Sequence, residues 1–586
     1  MTRPPRCCFR VEDFGGFPRG WLWAPSGGAT TVLARSRSEI PSVLDALDRA
    51  AAEDRFAVLA LDYEAAPALD SAMRTRAPGS GTLAVCCVFD RPPEHRSDLP
   101  PADSASVGEW TSEMDAAAHA RAVAAIRERI AAGDTYQVNL TFRLRGAAPR
   151  DPWGLFRALW RAHPVAHAAW LDLGERCIAS LSPELFFAVT GEEIVCRPMK
   201  GTAPRGRWFE EDIARRAALA GSAKDRAENV MILDMVRNDL GRIARPGTVR
   251  AESLFDIETY RSVFQMTSTV RARADAPPSA ILRALFPCAS ITGAPKVSAM
   301  RIIEELEQSP RGIYCGALGF VAPGRRMKFC VPIRTLTVFP ADGRAEYGVG
   351  GGIVWDSTAP SEFAEAFHKS RALTRPDPPF KLLETMRWRR GRGVFLWREH
   401  FTRLSRSAAY FGFASPDEPS LRSQLNAAAE AVGEHSVRVR LRYDGDGRVT
   451  VEAHALPIPD ESRPIRAALD DRPTDSDTPW LYHKTTRREI YAAARARRPD
   501  AEEVILWNPA GEVMEGTIAN VIARLDGVWV TPPVESGLLP GCLRERLLRR
   551  GCVRERRITV EELRRAEQWG LANSVRGLRW AHLIRD

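Results

Sequence analysis

The sequence lacks a long apolar run: no stretch reaches the roughly 18 apolar residues that a membrane-spanning helix needs. Its first residues, MTRPPRCCFRVEDF, contain no apolar segment of the kind found in secretory signal peptides. The eleven cysteines show no metal-ligand spacing, and their odd number argues against a disulfide framework. We therefore expect a cytoplasmic protein with reduced thiols and without a membrane-embedded segment.

Neither sign of charge is in strong excess, because 83 Lys and Arg face 74 Asp and Glu for a net charge of +9. The densest basic stretches, Arg387–Arg392 and Arg544–Arg557, lie within strand and helix patterns. A nucleic-acid-binding protein usually concentrates its positive charge and interleaves it with aromatic residues. We therefore expect no nucleic-acid partner, whereas a small basic surplus suits an enzyme with anionic ligands.

The chain has no internal repeat or low-complexity segment, and its 586 residues are too many for one ordinary domain. Alternating strand and helix patterns predict an α/β (α+β) protein. The patterns of Asp225–Asp239 and Val297–Glu307 predict helices, and that of Cys330–Val338 predicts a strand. Three prolines within Arg375–Pro379 predict a stiff connector. The predicted segments are residues 1–110 as an N-terminal subregion, 111–375 as the first domain, 376–379 as a linker and 380–586 as the second domain.

Six segments of the first domain combine polar residues with chain-bending glycine or proline. They are Tyr136-Gln-Val-Asn139, Ser180-Leu-Ser-Pro-Glu-Leu-Phe186, Arg197-Pro-Met-Lys-Gly-Thr202, Asp225-Arg-Ala-Glu-Asn229, Ser290-Ile-Thr-Gly-Ala-Pro-Lys296 and Gly350-Gly-Gly-Ile353. Each alone is as consistent with a turn as with a site. Together, over roughly residues 115–374, they resemble the chorismate-utilising enzymes, which include anthranilate, isochorismate and aminodeoxychorismate synthases. The resemblance implies two antiparallel sheets that sandwich the active site.

The resemblance also implies a magnesium ion that binds a carboxylate of chorismate. The positions that match the family's ligands are Glu228 and Glu365, with Asp225 and Glu362 one helical turn before them. Oxygen ligands on separate elements suit Mg²⁺. Other positions match the family's substrate contacts, and arginine and glycine amides are suited to binding a carboxylate. These expected contacts are Gln137, Ser290, Thr292, Tyr314, Arg334, Gly350, Gly351 and Gly352.

Lys200 distinguishes this sequence from most of the family. In anthranilate and isochorismate synthases the matching segment is similar to Pro-Ile-Ala-Gly-Thr, with alanine in place of the lysine. A lysine at this position is similar to the aminodeoxychorismate synthases. In those enzymes the lysine amine attacks the ring, and ammonia then displaces the lysine. Such a lysine must be neutral, so its pKa must be lowered. Glu184 matches the acid that protonates the leaving hydroxyl. Gln137 occupies a position at which the similar enzymes that use water have a lysine. Gln265 occupies a position at which many of the similar enzymes have a histidine.

The first domain contains no recognisable glutaminase segment with a nucleophilic cysteine. The resemblance therefore implies that ammonia comes from solution or from a separate glutamine amidotransferase subunit.

The second domain carries another ordered set of segments. They are Phe401-Thr-Arg-Leu404, Tyr482-His-Lys-Thr485, Val513-Met-Glu-Gly-Thr-Ile-Ala-Asn520, Leu539-Pro-Gly-Cys-Leu-Arg544 and Asn573-Ser-Val-Arg-Gly577. The set resembles the fold-type IV pyridoxal-phosphate enzymes, which include aminodeoxychorismate lyase and branched-chain and D-amino-acid aminotransferases. The protein is thus expected to have two catalytic units, and a homodimer through the second domain is a further expectation.

This second resemblance implies pyridoxal 5'-phosphate as a cofactor. Lys484 would bind its aldehyde, and Glu515 would keep its ring nitrogen protonated. Arg403 would bind the phosphate, together with the N–H groups of a helix start and a serine hydroxyl. The residues of that helix start and the serine are Cys542, Leu543 and Ser574.

These residues do not separate a lyase from a transaminase, but the fusion does, because the first domain's expected product is the lyase's substrate. The sequence therefore predicts conversion of chorismate to 4-amino-4-deoxychorismate and then to 4-aminobenzoate and pyruvate, as in folate biosynthesis. Two alternatives stay open. One is an anthranilate synthase fused to an aminotransferase, and the other is a first domain that only activates a glutaminase.

Overall fold

The computed structural model describes residues 6–25, 28–79, 81–100, 108–374, 379–457 and 463–584. The chain divides into two compact units. The first comprises Met1–Pro204 and Arg216–Pro378, and the second comprises Arg205–Arg215 and Pro379–Asp586. Of the expected linker 376–379, all but Pro379 lies outside the described residues.

The first unit contains two ten-stranded sheets, and every neighbouring pair of their strands is antiparallel. One sheet has the order β16-β8-β20-β19-β10-β9-β1-β2-β6, with β7 beside β8, and the other has the order β13-β15-β12-β11-β18-β17-β4-β5-β3, with β14 beside β15. The strands are β1 (Arg6–Val11), β2 (Gly20–Trp23), β3 (Ala29–Ala34), β4 (Phe56–Leu61), β5 (Ala84–Phe89), β6 (Glu94–Arg96), β7 (Trp110–Ser112), β8 (Gln137–Ala147), β9 (His167–Asp172), β10 (Cys177–Ser182), β11 (Leu185–Thr190), β12 (Glu193–Arg197), β13 (Met199–Pro204), β14 (Arg250–Thr259), β15 (Val263–Arg273), β16 (Gly293–Ala294), β17 (Ala317–Ala322), β18 (Arg326–Cys330), β19 (Thr335–Phe339) and β20 (Arg344–Ile353).

The two sheets pack face to face through an apolar core, in which Phe9 of β1 meets Phe320 of β17 with ring centroids 5.4 Å apart. Strands β1 to β6 are part of these sheets, so the N-terminal subregion is built into the same sandwich. The antiparallel two-sheet fold inferred from the motifs is thus present. The helices are α1 (Ile40–Ala52), α2 (Ala66–Leu69), α3 (Ala116–Ala131), α4 (Pro152–Ala162), α6 (Ala223–Gly241), α7 (Pro278–Leu285), α8 (Lys296–Leu306) and α9 (Ala359–Thr374), and α5 (Phe209–Gly221) is divided between the two units.

The prediction of one strand over Cys330–Val338 is wrong. Strand β18 ends at Cys330 and β19 begins at Thr335, so four residues separate them. Pro332 cannot donate a ladder hydrogen bond, and Arg334 adopts a left-handed backbone conformation with φ of 50°. The break between the strands is where Arg334 reaches the candidate site described below.

The second unit contains a four-stranded antiparallel sheet, β22-β21-β23-β24, and an eight-stranded mixed sheet, β27-β26-β25-β32-β31-β28-β29-β30. Its strands are β21 (Leu382–Arg389), β22 (Gly393–Val394), β23 (Ser436–Tyr443), β24 (Val449–Ala455), β25 (Ile465–Leu469), β26 (Glu503–Trp507), β27 (Val513–Gly516), β28 (Asn520–Leu525), β29 (Val528–Thr531), β30 (Arg554–Glu555), β31 (Gln568–Asn573) and β32 (Gly577–Leu583). Its helices are α10 (Trp397–Phe411), α11 (Glu418–Glu430), α12 (Glu489–Arg497), α13 (Cys542–Arg549) and α14 (Val560–Arg564).

The second unit also includes the short segment Arg205–Arg215, which lies within the range 111–375 predicted for the first domain. The Trp208 ring lies 5.2 Å from the Tyr482 ring, and Arg205 donates to the backbone oxygen of Tyr410 at 2.8 Å. The Tyr410 ring in turn lies 4.2 Å from the imidazole of His483. The segment therefore packs against the residues that precede Lys484.

All eleven cysteines lie in the described part of the chain, and each is a free thiol. None of the described helices combines the length and the apolar character that crossing a bilayer would require.

Candidate active sites

The first unit contains a cavity of about 400 Å³ between the ends of its sheets and helices α6 and α9. Nine of the residues expected to act there lie on its wall. They are Glu184, Lys200, Glu228, Ser290, Tyr314, Arg334, Gly350, Gly352 and Glu365.

Three other expected residues lie behind that wall. The hydroxyl of Thr292 donates to the backbone oxygens of Cys288 and Ala289, so it shapes the turn rather than the cavity surface. Gly351 lies beside the carboxylate of Glu362, and Gln137 is buried at the start of β8. The cavity thus collects most, but not all, of the expected set.

Glu184 is buried, with 2% of its surface exposed, and it accepts a hydrogen bond of 2.5 Å from the Ser290 hydroxyl. Burial raises the pKa of Glu184 to about 7, although Ser290 and Lys200 oppose the increase. A carboxyl group with this pKa is partly protonated near neutral pH. It can therefore supply a proton to a leaving group in the cavity.

Lys200 lies on β13 and faces the same cavity. Burial lowers the pKa of its ammonium, and Lys369 adds to the effect, while Glu228 and Glu184 oppose it. Within the described residues its Nζ forms neither a hydrogen bond nor an ion pair. A lysine with these properties has a larger neutral fraction than a surface lysine and is free to act as a nucleophile.

Gly352 allows two side chains to lie directly against the backbone of β20. A Cβ at this position would be 2.2 Å from Nε2 of Gln137 and 2.8 Å from Nζ of Lys200. Both polar atoms of the buried Gln137 amide lack a hydrogen-bond partner among the described residues. A buried amide without partners is costly unless a ligand completes its hydrogen bonds.

Helices α6 and α9 place four carboxylates on the cavity wall, and we call Asp225, Glu228, Glu362 and Glu365 the carboxylate cluster. Helix α6 begins at the Ser222 cap, whose hydroxyl accepts from the Asp225 amide at 3.2 Å. Burial raises the pKa of Glu228 and of Glu362. Glu365 differs because Lys369 forms an ion pair with it at 2.8 Å and lowers its pKa.

The carboxylate cluster fits the magnesium ion that the sequence implies. All four groups offer hard oxygen donors from two separate helices, which is the donor chemistry that Mg²⁺ prefers. Glu228 also has no ion pair within the described residues, and burial raises its pKa although Lys200 and Lys224 oppose the increase. Glu228 and Glu365 would hold the ion directly.

Arg334 and Tyr314 also lie on the cavity wall, and they were expected to bind a carboxylate of the substrate. Arg334 has no ion pair among the described residues, and its guanidinium lies 5.8 Å from the Tyr260 ring centroid. Burial lowers the pKa of Arg334, although Tyr347 and Tyr260 oppose the effect. A carboxylate would fit here because the planar guanidinium can bind both of its oxygens.

Gln265 lies on the cavity wall and accepts a hydrogen bond from the Thr202 hydroxyl at 3.0 Å. An amide at this position can orient a ligand but cannot transfer a proton. The wall residues that were not predicted from the sequence include Asn139, Lys224, Tyr347 and Lys369. Asn139 belongs to one of the six motifs, and Lys224 and Lys369 lie within four residues of expected carboxylates, so sequence proximity was the available signal.

The second unit contains a cavity of about 260 Å³. Its wall includes Lys484, Glu515, Arg403, Cys542 and Ser574, which are five of the six expected cofactor contacts. The sixth, Leu543, was expected to contribute its backbone N–H group, and its side chain packs in a small apolar cluster.

Lys484 is positioned by a backbone contact with strand β21. Its carbonyl oxygen accepts from the Leu383 amide at 2.9 Å. Burial and the nearby Arg403 lower the pKa of Lys484 to about 8. The amine is therefore suited both to attack an aldehyde and to exchange a proton near neutral pH.

Glu515 is buried at the other side of the same cavity. It accepts hydrogen bonds from the Tyr491 hydroxyl at 2.8 Å, the Leu539 amide at 3.2 Å and Asn520 Nδ2 at 3.2 Å. Burial raises the pKa of Glu515 to about 7 despite these donors. A buried carboxylate held in this way can pair with a protonated ring nitrogen.

A hydrogen-bonded network orients the expected phosphate contacts. Arg403 donates to both oxygens of Glu384, at 2.9 and 2.6 Å, and His400 bridges Glu384 at 2.6 Å and Ser574 at 2.9 Å. Arg403 and His400 hold the pKa of Glu384 at about 2, against the effect of burial. Glu384 and His400 were not predicted from the sequence because they act through other side chains.

The start of helix α13 completes this end of the cavity. Gly541 is its cap, and a Cβ there would lie 2.0 Å from Oδ1 of Asn520, so only glycine fits. The free amides of the first turn and the helix dipole favour an anion. Pyridoxal phosphate therefore fits the second cavity, with an amine for its aldehyde, a carboxylate for its ring and donors for its phosphate.

Two family models match the chain. The model for chorismate binding enzymes covers residues 57–375, and the model for class IV amino-transferases covers residues 381–584.

Individual relatives match the first of these regions. An aminodeoxychorismate synthase component 1 from Klebsiella aerogenes is 43% identical over 262 residues, which are 44% of this chain and 58% of that protein. An anthranilate synthase component 1 from Streptomyces coelicolor is 42% identical over 276 residues, which are 47% of this chain and 53% of that protein. The chain thus spans about half the length of these curated relatives.

A solved structure supports the fold. The crystal structure of anthranilate synthase component I from Streptococcus pneumoniae covers 64% of this chain and 91% of its own, with 23% identity and a TM-score of 0.51. The two curated relatives are nearly equal in identity to this chain, although their names give different activities. Overall similarity therefore does not choose between those activities, and the site residues must.

Proposed function

The chain belongs to the chorismate-binding enzyme family, and from that premise we propose that it converts chorismate and ammonia to 4-aminobenzoate and pyruvate in two steps. The first unit would form 4-amino-4-deoxychorismate and water, and the second would cleave that product. The observation that carries the proposal is the pairing of Lys200 with Glu184 in one cavity. A nucleophilic amine and a proton donor are the two groups that displacement of a ring hydroxyl requires.

In the first step the neutral amine of Lys200 would attack the ring of chorismate. The carbon–oxygen bond of the ring hydroxyl breaks, and Glu184 gives its proton to the departing oxygen to release water. Ammonia then attacks the ring of the covalent intermediate and displaces Lys200, whose amine leaves with the bonding electron pair. The lowered pKa of Lys200 and the raised pKa of Glu184 both favour the protonation states that this sequence needs.

Binding of the two carboxylates would hold chorismate in place. Arg334 would bind one carboxylate of chorismate, because its guanidinium has no acidic partner among the described residues. Glu228 and Glu365 would hold Mg²⁺, which would supply positive charge for the other carboxylate. Gln137 would donate or accept a hydrogen bond beside Lys200, and it cannot act as a base toward water.

In the second unit, pyridoxal phosphate bound at Lys484 would act as an electron sink for the amine of 4-amino-4-deoxychorismate. Lys484 would take the proton from the ring carbon, the carbon–oxygen bond to the enolpyruvyl group would break as the ring becomes aromatic, and the departing enolate would regain that proton to give pyruvate. Glu515 would keep the ring nitrogen of the cofactor protonated. Arg403, Ser574 and the amides at the start of α13 would hold the phosphate.

Partners and location follow from the same proposal. A separate glutamine amidotransferase subunit would supply ammonia, as the name component 1 of the relatives suggests. We propose a cytoplasmic enzyme of folate biosynthesis. The mass of the purified assembly would show whether the chain binds a separate amidotransferase subunit and whether it forms a homodimer through the second unit.

Two reciprocal variants test the proposal in the full chain. Lys200→Ala should abolish or greatly slow the amination of chorismate while cleavage of supplied 4-amino-4-deoxychorismate continues. Lys484→Ala should lose the visible absorbance band of the bound cofactor and stop the reaction at 4-amino-4-deoxychorismate. Each variant is the folding control for the other, because each retains one of the two activities.

The outcomes also separate the alternatives. Anthranilate as the product would favour an anthranilate synthase, and full amination by Lys200→Ala would exclude covalent attack. Wild-type protein that consumes no chorismate with ammonium, yet stimulates a glutaminase, would favour the scaffold alternative.

A further inference from the structure

Strand β23 has one apolar face and one face of arginines. Val437, Val439, Leu441 and Tyr443 are buried in the core of the second unit. Because side chains alternate along a strand, the residues between them lie on the opposite face. Those residues are Arg438, Arg440 and Arg442.

Arg438 and Arg440 lie on the wall of the second cavity, next to Leu383 and Thr385 of the neighbouring strand. Lys484 lies on the same wall. The two arginines are two residues apart, so their Cα atoms are separated by about 7 Å. They therefore present two separate guanidinium groups to the cavity in which the cofactor lysine lies.

Neither guanidinium has an acidic partner in the described residues. Glu452 faces Arg440 across the strand pair, but it forms an ion pair with Arg442 at 2.7 Å. The Nε atom of Arg440 is buried and has no hydrogen-bond partner within the described part of the chain. A buried N–H group without a partner is costly in the free protein, so an anion that binds the Arg440 guanidinium in the cavity would relieve that cost.

The carboxylates nearest the cavity are already engaged. Glu384 is bound by Arg403 and His400, and Glu515 accepts from Tyr491, Asn520 and the Leu539 amide. Arg387 lies directly across from Arg438 in the strand pair and adds further positive charge. The cavity thus has unbalanced positive charge on its β23 side.

We propose that Arg438 and Arg440 bind the carboxylates of a dicarboxylate substrate and thereby select it over ordinary amino acids. The inference rests on the proposed function, in which amination replaces a hydroxyl and leaves both carboxylates of chorismate in the intermediate. An amino acid with only its α-carboxylate could bind only one of the two guanidinium groups. The arginine pair therefore gives the second unit the selectivity of a lyase for this intermediate, which the cofactor residues alone do not supply.

Single and double substitutions of the two arginines by glutamine test this in the full chain. With 4-amino-4-deoxychorismate, Arg438→Gln and Arg440→Gln should each raise KM at least tenfold, and the double variant should raise it further. The visible cofactor band and kcat should change little, because neither residue contacts the cofactor groups assigned above. Arg442→Gln is the matched control, since it lies on the same face of the same strand but is paired with Glu452 and is absent from the cavity wall.

Binding of inert ring acids gives a readout that does not depend on the reaction. Isophthalate, a ring dicarboxylate, should bind the wild type more tightly than benzoate, and the double variant should lose this preference. Equal binding of the two acids to the wild type, or an unchanged KM in the double variant, would overturn the inference. Loss of pyridoxal phosphate affinity in the variants would instead make the arginines phosphate ligands. Absence of pyruvate release by the wild type, with the isophthalate preference intact, would reject the proposed function but keep the dicarboxylate site.

Discussion

The hydrogen bond from Ser290 to Glu184 makes a specific prediction about the pH dependence of amination. The Ser290 hydroxyl stabilises the carboxylate form of Glu184, so its removal should raise the pKa of Glu184 above its present value of about 7. A hydrogen bond to a charged group contributes about 1.5–3 kcal/mol, and one pKa unit corresponds to about 1.36 kcal/mol. Ser290→Ala should therefore move this pKa upward by about one to two units.

The sign of the rate effect follows from the role of the group. Glu184 must be protonated to act, so kcat/KM for amination should fall above pH about 7 in the wild type. In Ser290→Ala the same alkaline decrease should begin about one to two pH units higher, because the acid form persists to higher pH. The assay is the initial rate of 4-amino-4-deoxychorismate formation, with the concentration of unprotonated ammonia held constant across the pH range.

A companion variant removes the proton donor itself. Glu184→Gln keeps the shape of the side chain but cannot supply a proton, so it should lower kcat/KM by about 10²–10⁴-fold. An alkaline decrease that stays in place in Ser290→Ala, or that moves to lower pH, would refute the reasoning. It would show that another group controls the profile.

Three further predictions concern other parts of the protein. A metal chelator should stop amination and leave cleavage of supplied 4-amino-4-deoxychorismate unchanged, because the carboxylate cluster belongs to the first unit; equal loss of both activities would contradict this. Gly352→Ala should greatly slow amination, since the added Cβ would overlap the amine of Lys200, and a wild-type rate would argue against a close approach of Lys200 to the β20 backbone during the reaction. Trp208→Ala should weaken the second activity more than the first, because the Trp208 ring packs against the Tyr482 ring two residues before Lys484, the proposed cofactor lysine; Trp208→Phe should restore much of it.

Most residues of the two candidate sites could be predicted because they lie in short motifs. Lys200 and Glu184 were expected together, and they do line one cavity. Ser290 was expected to contact substrate, whereas in the free protein its hydroxyl binds Glu184. That contact joins residues more than a hundred positions apart, and such pairing is not encoded in a local pattern.

Other features depended on tertiary structure. The alternation of apolar residues and arginines along β23 is visible in the sequence. The sequence does not predict, however, that Arg438 and Arg440 on the arginine face line a cavity. The inclusion of Arg205–Arg215 in the second unit likewise depends on contacts with distant residues. The break at Arg334 could have been anticipated from Pro332, which interrupts an otherwise apolar strand pattern.

The most direct test of the two-step account is the identity of its products. Purified full-length protein would be incubated with chorismate, ammonium, Mg²⁺ and pyridoxal phosphate, and the mixture separated by chromatography. The account predicts 4-aminobenzoate and pyruvate in equal amounts, with 4-amino-4-deoxychorismate accumulating instead in Lys484→Ala. Anthranilate as the aromatic product, or 4-aminobenzoate formed at the wild-type rate by Lys200→Ala, would contradict it.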